Sequence, residues 1–144
     1  MADNTIQNFL INQSPATVTL KKTLDAQAAR QRAHASNIAN AETPGYQRVA
    51  VEFEDQLKEV LDQNNAASMR MNDPRHMNTN GTGSLEDLSY RTVREPLPED
   101  GSGLNGVDIE REMTEMAETQ IRYLASLELL KRRYTALKSA IKGQ

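Results

Sequence analysis

At 144 residues the chain is the size of one domain, and with no Trp, two Phe and four Tyr it can build only a thin core. A net charge of −3 argues against a nucleic-acid footprint or a polybasic membrane anchor. The absence of cysteine excludes disulfides and thiolate metal sites.

Residues 1–15 read as a tail in which Ile6, Phe9 and Leu10 share a helical face, and Pro15 ends it or opens the next element. The first basic residue is Lys21, and Asp3, Asn4, Gln7 and Asn8 interrupt the early apolar residues, unlike a secretory signal. No stretch of the chain approaches the length of a membrane span.

Residues 16–41 are predicted to form a helix. Leu20, Leu24, Ala28, Ala35 and Ile38 fall on one stripe, with Gln31 as its polar break. The stripe is rich in Ala, which favours close approach of a partner and supplies little bulk. Thr43-Pro44-Gly45 stops the helix, because proline pushes Thr43 toward extended backbone and Gly45 tolerates a turn. Asn37 and Asn40 stand where their amides can bond the free carbonyls of a last helical turn. A turn and loop over 42–51 lead to a short helix over 52–63, where Phe53, Leu57, Val60 and Leu61 are spaced for one face. Residues 64–107 are rich in Asn, Gly, Asp, Ser, Thr and Pro, and read as an exposed irregular region with short strands near Leu88–Val93.

The last predicted helix, 108–142, starts on Asp108 as N-cap. Along it Ile109, Met113, Met116, Gln120, Tyr123, Leu127, Leu130, Tyr134, Leu137 and Ile141 alternate steps of four and three, the heptad spacing of a helix that lies along a partner. Such a helix is roughly 50 Å long, more than a small globule can cover. Ala117, Ile121 and Leu124 add a second row, which suits contact with more than one neighbour. Glutamates crowd the first half and Lys131, Arg132, Arg133, Lys138 and Lys142 the second, in keeping with the helix dipole.

Chemistry-bearing patterns are weak. Gly101-Ser102-Gly103-Leu104-Asn105-Gly106 spells a dinucleotide fingerprint, but the Pro-containing segment before it cannot be a central strand. His34 and His76 have no carboxylate or second His at ligand spacing on a shared helix face, so no metal site is expected. Exposed helix glutamates rarely have the pocket that catalysis needs, Met113 and Met116 suit packing, and Lys131-Arg132-Arg133 reads as a solvated helix end. The expectation is therefore no catalytic residues, no cofactor, no metal, no small-molecule substrate and no nucleic acid.

The segment Asn37-Ile38-Ala39-Asn40-Ala41-Glu42-Thr43-Pro44-Gly45-Tyr46 resembles the N-terminal signature of bacterial flagellar rod and hook proteins. Asn105-Gly106-Val107-Asp108-Ile109-Glu110-Arg111-Glu112-Met113, with Leu124-Ala125-Ser126-Leu127 further on, resembles the C-terminal signature of its short proximal rod members, and Pro74-Arg75-His76 their mid-chain element. One departure is the Ser-Gly-Leu-Asn-Gly stretch between Asp100-Gly101 and Val107. The resemblance implies a mainly α fold in which long N- and C-terminal helices pair antiparallel, coiled-coil-like, around an irregular middle, with subunits assembled into a helical tube. It implies like subunits, other rod proteins, the rod-base junction protein FliE and the export gate as partners. It also implies a place in the periplasmic rod of the basal body, reached through the flagellar type III apparatus without a cleaved signal. The two helical stripes are then the expected helix–helix and subunit interfaces, and Asn37 to Tyr46 a turn that directs the chain toward a neighbour. A different rod subunit of the same family (FlgC type) and a soluble helical adaptor are the alternatives.

Overall fold

The computed structural model describes residues 14–67, 85–97 and 106–142. Ile6, Phe9 and Leu10 of the tail, the Pro74-Arg75-His76 element and residues 101–105 of the Gly-rich run lie outside them. Five elements follow in order: α1 (Pro15–Ala39), β1 (Val49–Glu52), α2 (Glu54–Ala67), β2 (Arg91–Arg94) and α3 (Ile109–Lys142). The fold is mainly helical, with the long N- and C-terminal helices packed together and an irregular middle.

Both long helices begin where the sequence supplies a cap. Ser14 is extended, and its Oγ accepts from the Thr17 backbone N–H at 3.4 Å, while Pro15 takes the first helical position, where a missing N–H does no harm. Asp108 Oδ1 accepts from the backbone N–H groups of Glu110 and Arg111 at 3.0 and 3.2 Å. Glu54 and Asp55 place negative charge in the first turn of α2.

The two long helices run antiparallel. Ser14 and Thr17, at the start of α1, receive hydrogen bonds from Arg133 near the end of α3, whereas His34 and Asn37, near the end of α1, meet Glu112 near the start of α3. A second face of α1 holds the rest of the molecule. Ala26, Phe53 and Leu88 form one small core, joined by Leu57 and Val60, and Ala29, Ala33 and Val51 form another with Val49. Ala29 and Ala33 let β1 lie close against the helix.

β1 occupies the stretch at the boundary of the predicted loop and short helix. Val-Ala-Val there is β-branched and alternating, and it pairs antiparallel with β2 in the register Val49↔Arg94, Ala50↔Val93, Val51↔Thr92. Its other edge is closed by side chains of α1. Asn37 bonds both the N–H and the C=O of Val49, each at 2.9 Å, and the Arg30 guanidinium donates to the carbonyl of Val51 from Nε and Nη2 at 3.2 and 3.0 Å. An edge strand is thereby satisfied without a third strand.

Candidate functional site: a buried clasp and an open helix face

Asn37 is completely buried at the end of α1. Its amide uses all its hydrogen-bonding capacity. Oδ1 accepts from the Val49 N–H and, at 3.2 Å, from the Tyr46 hydroxyl, while Nδ2 donates to the Val49 carbonyl and, at 3.0 Å, to Glu112 Oε2. One side chain therefore ties α1, the turn, β1 and α3 together. The turn itself is local. Asn40 Nδ2 donates to the Ser36 carbonyl at 2.8 Å, the Tyr46 N–H donates to the Thr43 carbonyl at 3.2 Å, and Gly45 adopts φ +73°. Thr43, Pro44 and Gly45 are exposed, and Ile38 is half-buried.

Glu112 is the centre of the clasp and is also fully buried. Oε2 accepts from His34 Nδ1 at 2.7 Å and from Asn37, and Oε1 accepts from Arg48 Nε. Arg48, itself buried, spreads its remaining nitrogens to Glu95 and Glu115. Burial alone would raise the Glu112 pKa, but the bonds from His34, Asn37 and Arg48 outweigh it and hold the carboxyl below the usual range. Burial alone would likewise lower Arg48, and its bonds to Glu112 and Glu95 hold it above its ordinary value.

This arrangement does not suit chemistry on a substrate. A carboxylate held by three donors and kept ionised is a poor general acid or base. His34, Glu112 and Glu115 place ligand atoms within 4.8 Å of one another, yet the Arg48 guanidinium already binds both carboxylates and occupies the place a cation would take. The cluster is a structural joint.

The helical stripes divide in the structure. On α1, Leu20, Leu24, Ala28 and Ile38 are half-buried and Ala35 is exposed. The most buried side chains of that helix lie off the stripe: Gln27 and His34 are beside it, Ala26, Ala29 and Ala33 are on the opposite face, and Asn37 lies between the two. On α3 every second member of the seam from Met116 onward is covered: Met116, Tyr123 and Leu137 are half-buried and Leu130 is buried. Of the alternate members, Met113 and Leu127 are 56% and 43% exposed, Ile141 is 60% exposed and Gln120 is exposed, whereas Tyr134 is half-buried. Ile109, at the helix start, is exposed as well.

The second row extends the open face, with Ile121 at 69% and Leu124 at 55% exposure beside exposed Ala117. A shallow groove lined by Leu127, Leu130, Tyr134, Lys131, Thr135 and Lys138 continues it toward the C-terminus. The result is an extended run of exposed apolar side chains along one face of α3. No helix of the described residues is long and apolar enough to cross a membrane.

Arg48, Glu112, Arg133 and the Ser14–Thr17 pair were not among the predicted site residues. His34 and its partner are 78 positions apart, and a search for partners on the same helix face cannot find such a pair. One signal was present. Glu112, Thr119, Ser126 and Arg133 repeat every seven residues beside the apolar seam.

Comparison with known proteins points to one family. A family model described as "Flagella basal body rod protein" matches residues 19–47. The chain is 34% identical over 128 residues to a protein of Escherichia coli K12 named flagellar basal body rod protein FlgB, covering 85% of each. The protein of that name from Bacillus subtilis 168 is 30% identical over 125 residues, covering 86% of this chain and 91% of the relative. That from Cereibacter sphaeroides ATCC 17029 is 35% identical over 109 residues, covering 76% and 80%.

Proposed function

The chain belongs to the FlgB family of flagellar basal-body rod proteins, and from that premise we propose that it is a structural subunit of the proximal rod. It packs side by side with copies of itself and with other rod proteins. The observation that carries this reading is the open face of α3, where Met113, Ile121, Leu124 and Leu127 stand bare in the isolated chain. Covering such a face with further copies is favourable in proportion to the apolar area removed from water. Contacts between unlike patches, repeated head to tail, give an open helical array, whereas a self-complementary patch closes into a dimer.

In that array the rod transmits torque, and the paired helices form the wall of a conduit for unfolded chains. Contact with the junction protein FliE and the export gate belongs to the same reading, as does delivery through the flagellar type III apparatus without a cleaved signal. The Asn37–Tyr46 turn, with exposed Pro44, sets the direction in which the chain leaves α1 and so the neighbour that it meets. The functional residues are mechanical: the clasp shapes the subunit and the open face joins it to the next.

The test is a double substitution, Ile121→Asp with Leu124→Asp. The monomer keeps its helical circular dichroism and its solubility, because both side chains are exposed. Assembly is lost, and strains carrying the variant lack motility and complete basal bodies. Normal rods in such strains would overturn the reading.

A further inference from the structure

The face that α3 turns toward α1 consists of two columns, each with a period of seven residues. One is apolar: Met116, Tyr123, Leu130 and Leu137, half-buried or buried. The other is polar: Glu112 and Thr119 are buried, and Ser126 and Arg133 are half-buried. The apolar column cannot distinguish one register from the next. Sliding α3 by one heptad toward its own N-terminal end sets Tyr123 where Met116 stood, Leu130 where Tyr123 stood and Leu137 where Leu130 stood. All three positions keep an apolar or aromatic side chain, with Tyr for Met and Leu for Tyr as the only changes of kind, so apolar burial separates the two registers only weakly.

The polar column tells them apart. The same slide brings Thr119 to His34, Asn37 and Arg48 in place of the carboxylate that all three bond. It also lifts Arg133 away from the hydroxyls of Ser14 and Thr17, which it now bonds at 2.7 and 2.8 Å. Sliding the other way buries Glu112 at the Thr119 position, about 10 Å along the helix from its cation. A buried charge without a partner is costly.

We propose that Glu112 and Arg133 are positioning residues that select one register of α3 on α1, a choice that the apolar seam leaves open. Replacing a buried ion pair by apolar groups often leaves stability unchanged or raises it, whereas fixing register is its best-attested use. The consequence for assembly rests on the rod reading. The outward column of Met113, Gln120, Leu127, Tyr134 and Ile141 has the same period, so a slipped subunit presents a similar face about 10 Å out of place relative to β1 and the Thr43–Tyr46 turn. A lattice that needs both at once would reject it. The register itself is a property of the single chain, and its measurement succeeds or fails independently of polymerisation.

The native chain has no cysteine, so spin labels go wherever Cys is introduced. Arg32→Cys on α1 and Ala136→Cys on α3 are both exposed sites near opposite ends of the helix pair, and the vector between them lies mostly along the helix axes. The labelled full chain, dilute and monomeric, gives one distance. Moving the polar column one heptad on, with Glu112→Thr, Thr119→Glu, Arg133→Ser and Ala140→Arg, shortens that distance by about 10 Å. A folded column-shifted chain that keeps the parent distance overturns the proposal.

A second variant requires no new register. With Glu112→Leu, Arg48→Met and Arg133→Leu the clasp loses the charged groups that select the register, and the single distance splits into populations about 10 Å apart. One unshifted distance in that variant, at parental helix content, overturns the proposal equally.

Discussion

The two sides of α3 carry similar residues and meet opposite fates. Leu130 is 9% exposed and Leu127, three residues before it, 43%. Met116 is half-covered and Met113 bare. Both columns come from one heptad seam, so hydrophobicity alone does not decide which is covered. The difference comes from α1, which is joined to α3 through Glu112 and Arg133 and shields only the column beside those two residues. A helix can thus carry a complete apolar seam and still finish only half of it within its own chain. The remaining half is the surface that the proposed function assigns to neighbouring subunits.

The largest expected effect comes from breaking the covered side. Glu112→Ala leaves the buried Arg48 and His34 without their shared carboxylate, and is expected to cost the monomer about 3–5 kcal/mol in chemical denaturation. Leu130→Ala follows, at about 2–5 kcal/mol. Its counterpart on the open side, Leu127→Ala, shifts monomer stability by no more than about 0.5 kcal/mol yet weakens assembly. Equal losses of monomer stability for the two leucines would erase the distinction between the columns.

Acid sharpens the same contrast. Folding lowers the Glu112 pKa, so its contribution is fully present above the unfolded carboxylate value and fades as pH falls through the depressed folded value. Stability measured from neutral pH downward therefore drops on the acid side, below pH ~4.3. Glu112→Gln flattens that part of the profile, and the leucine substitutions leave its shape alone. An unaltered acid limb in Glu112→Gln would show that the clasp carboxylate is not its source.

A smaller effect than that of the covered side is expected at the turn. Gly45 lies at φ +73° with nothing within 4 Å of an added Cβ, so Gly45→Ala meets no clash and suffers only the left-handed backbone penalty, about 1–2 kcal/mol. A monomer loss well beyond that would contradict the open surroundings of Gly45.

The long C-terminal helix was legible from the sequence because its apolar stripe repeats with helical period and its cap at Asp108 is a local event, while its pairing with α1 came from the family resemblance. The turn was legible because Pro44 and Gly45 act on their own backbone. The clasp was not. Glu112 looks like any of the glutamates in the first half of α3, and what singles it out is a set of donors 64 to 78 residues away. The second face of α1 was equally hidden. Ala26, Ala29 and Ala33 carry little hydrophobic signal, and they are buried because the β1–β2 ribbon and Phe53 come to them.

Whether sister copies cover the open column can be read directly from a single introduced thiol. Ile121→Cys, in a chain otherwise free of cysteine, reacts with a maleimide in dilute monomer at the rate of an exposed thiol, and is protected once the protein polymerises. If it reacts equally fast in the polymer, or is already shielded in the monomer, the surface assigned to assembly is the wrong one.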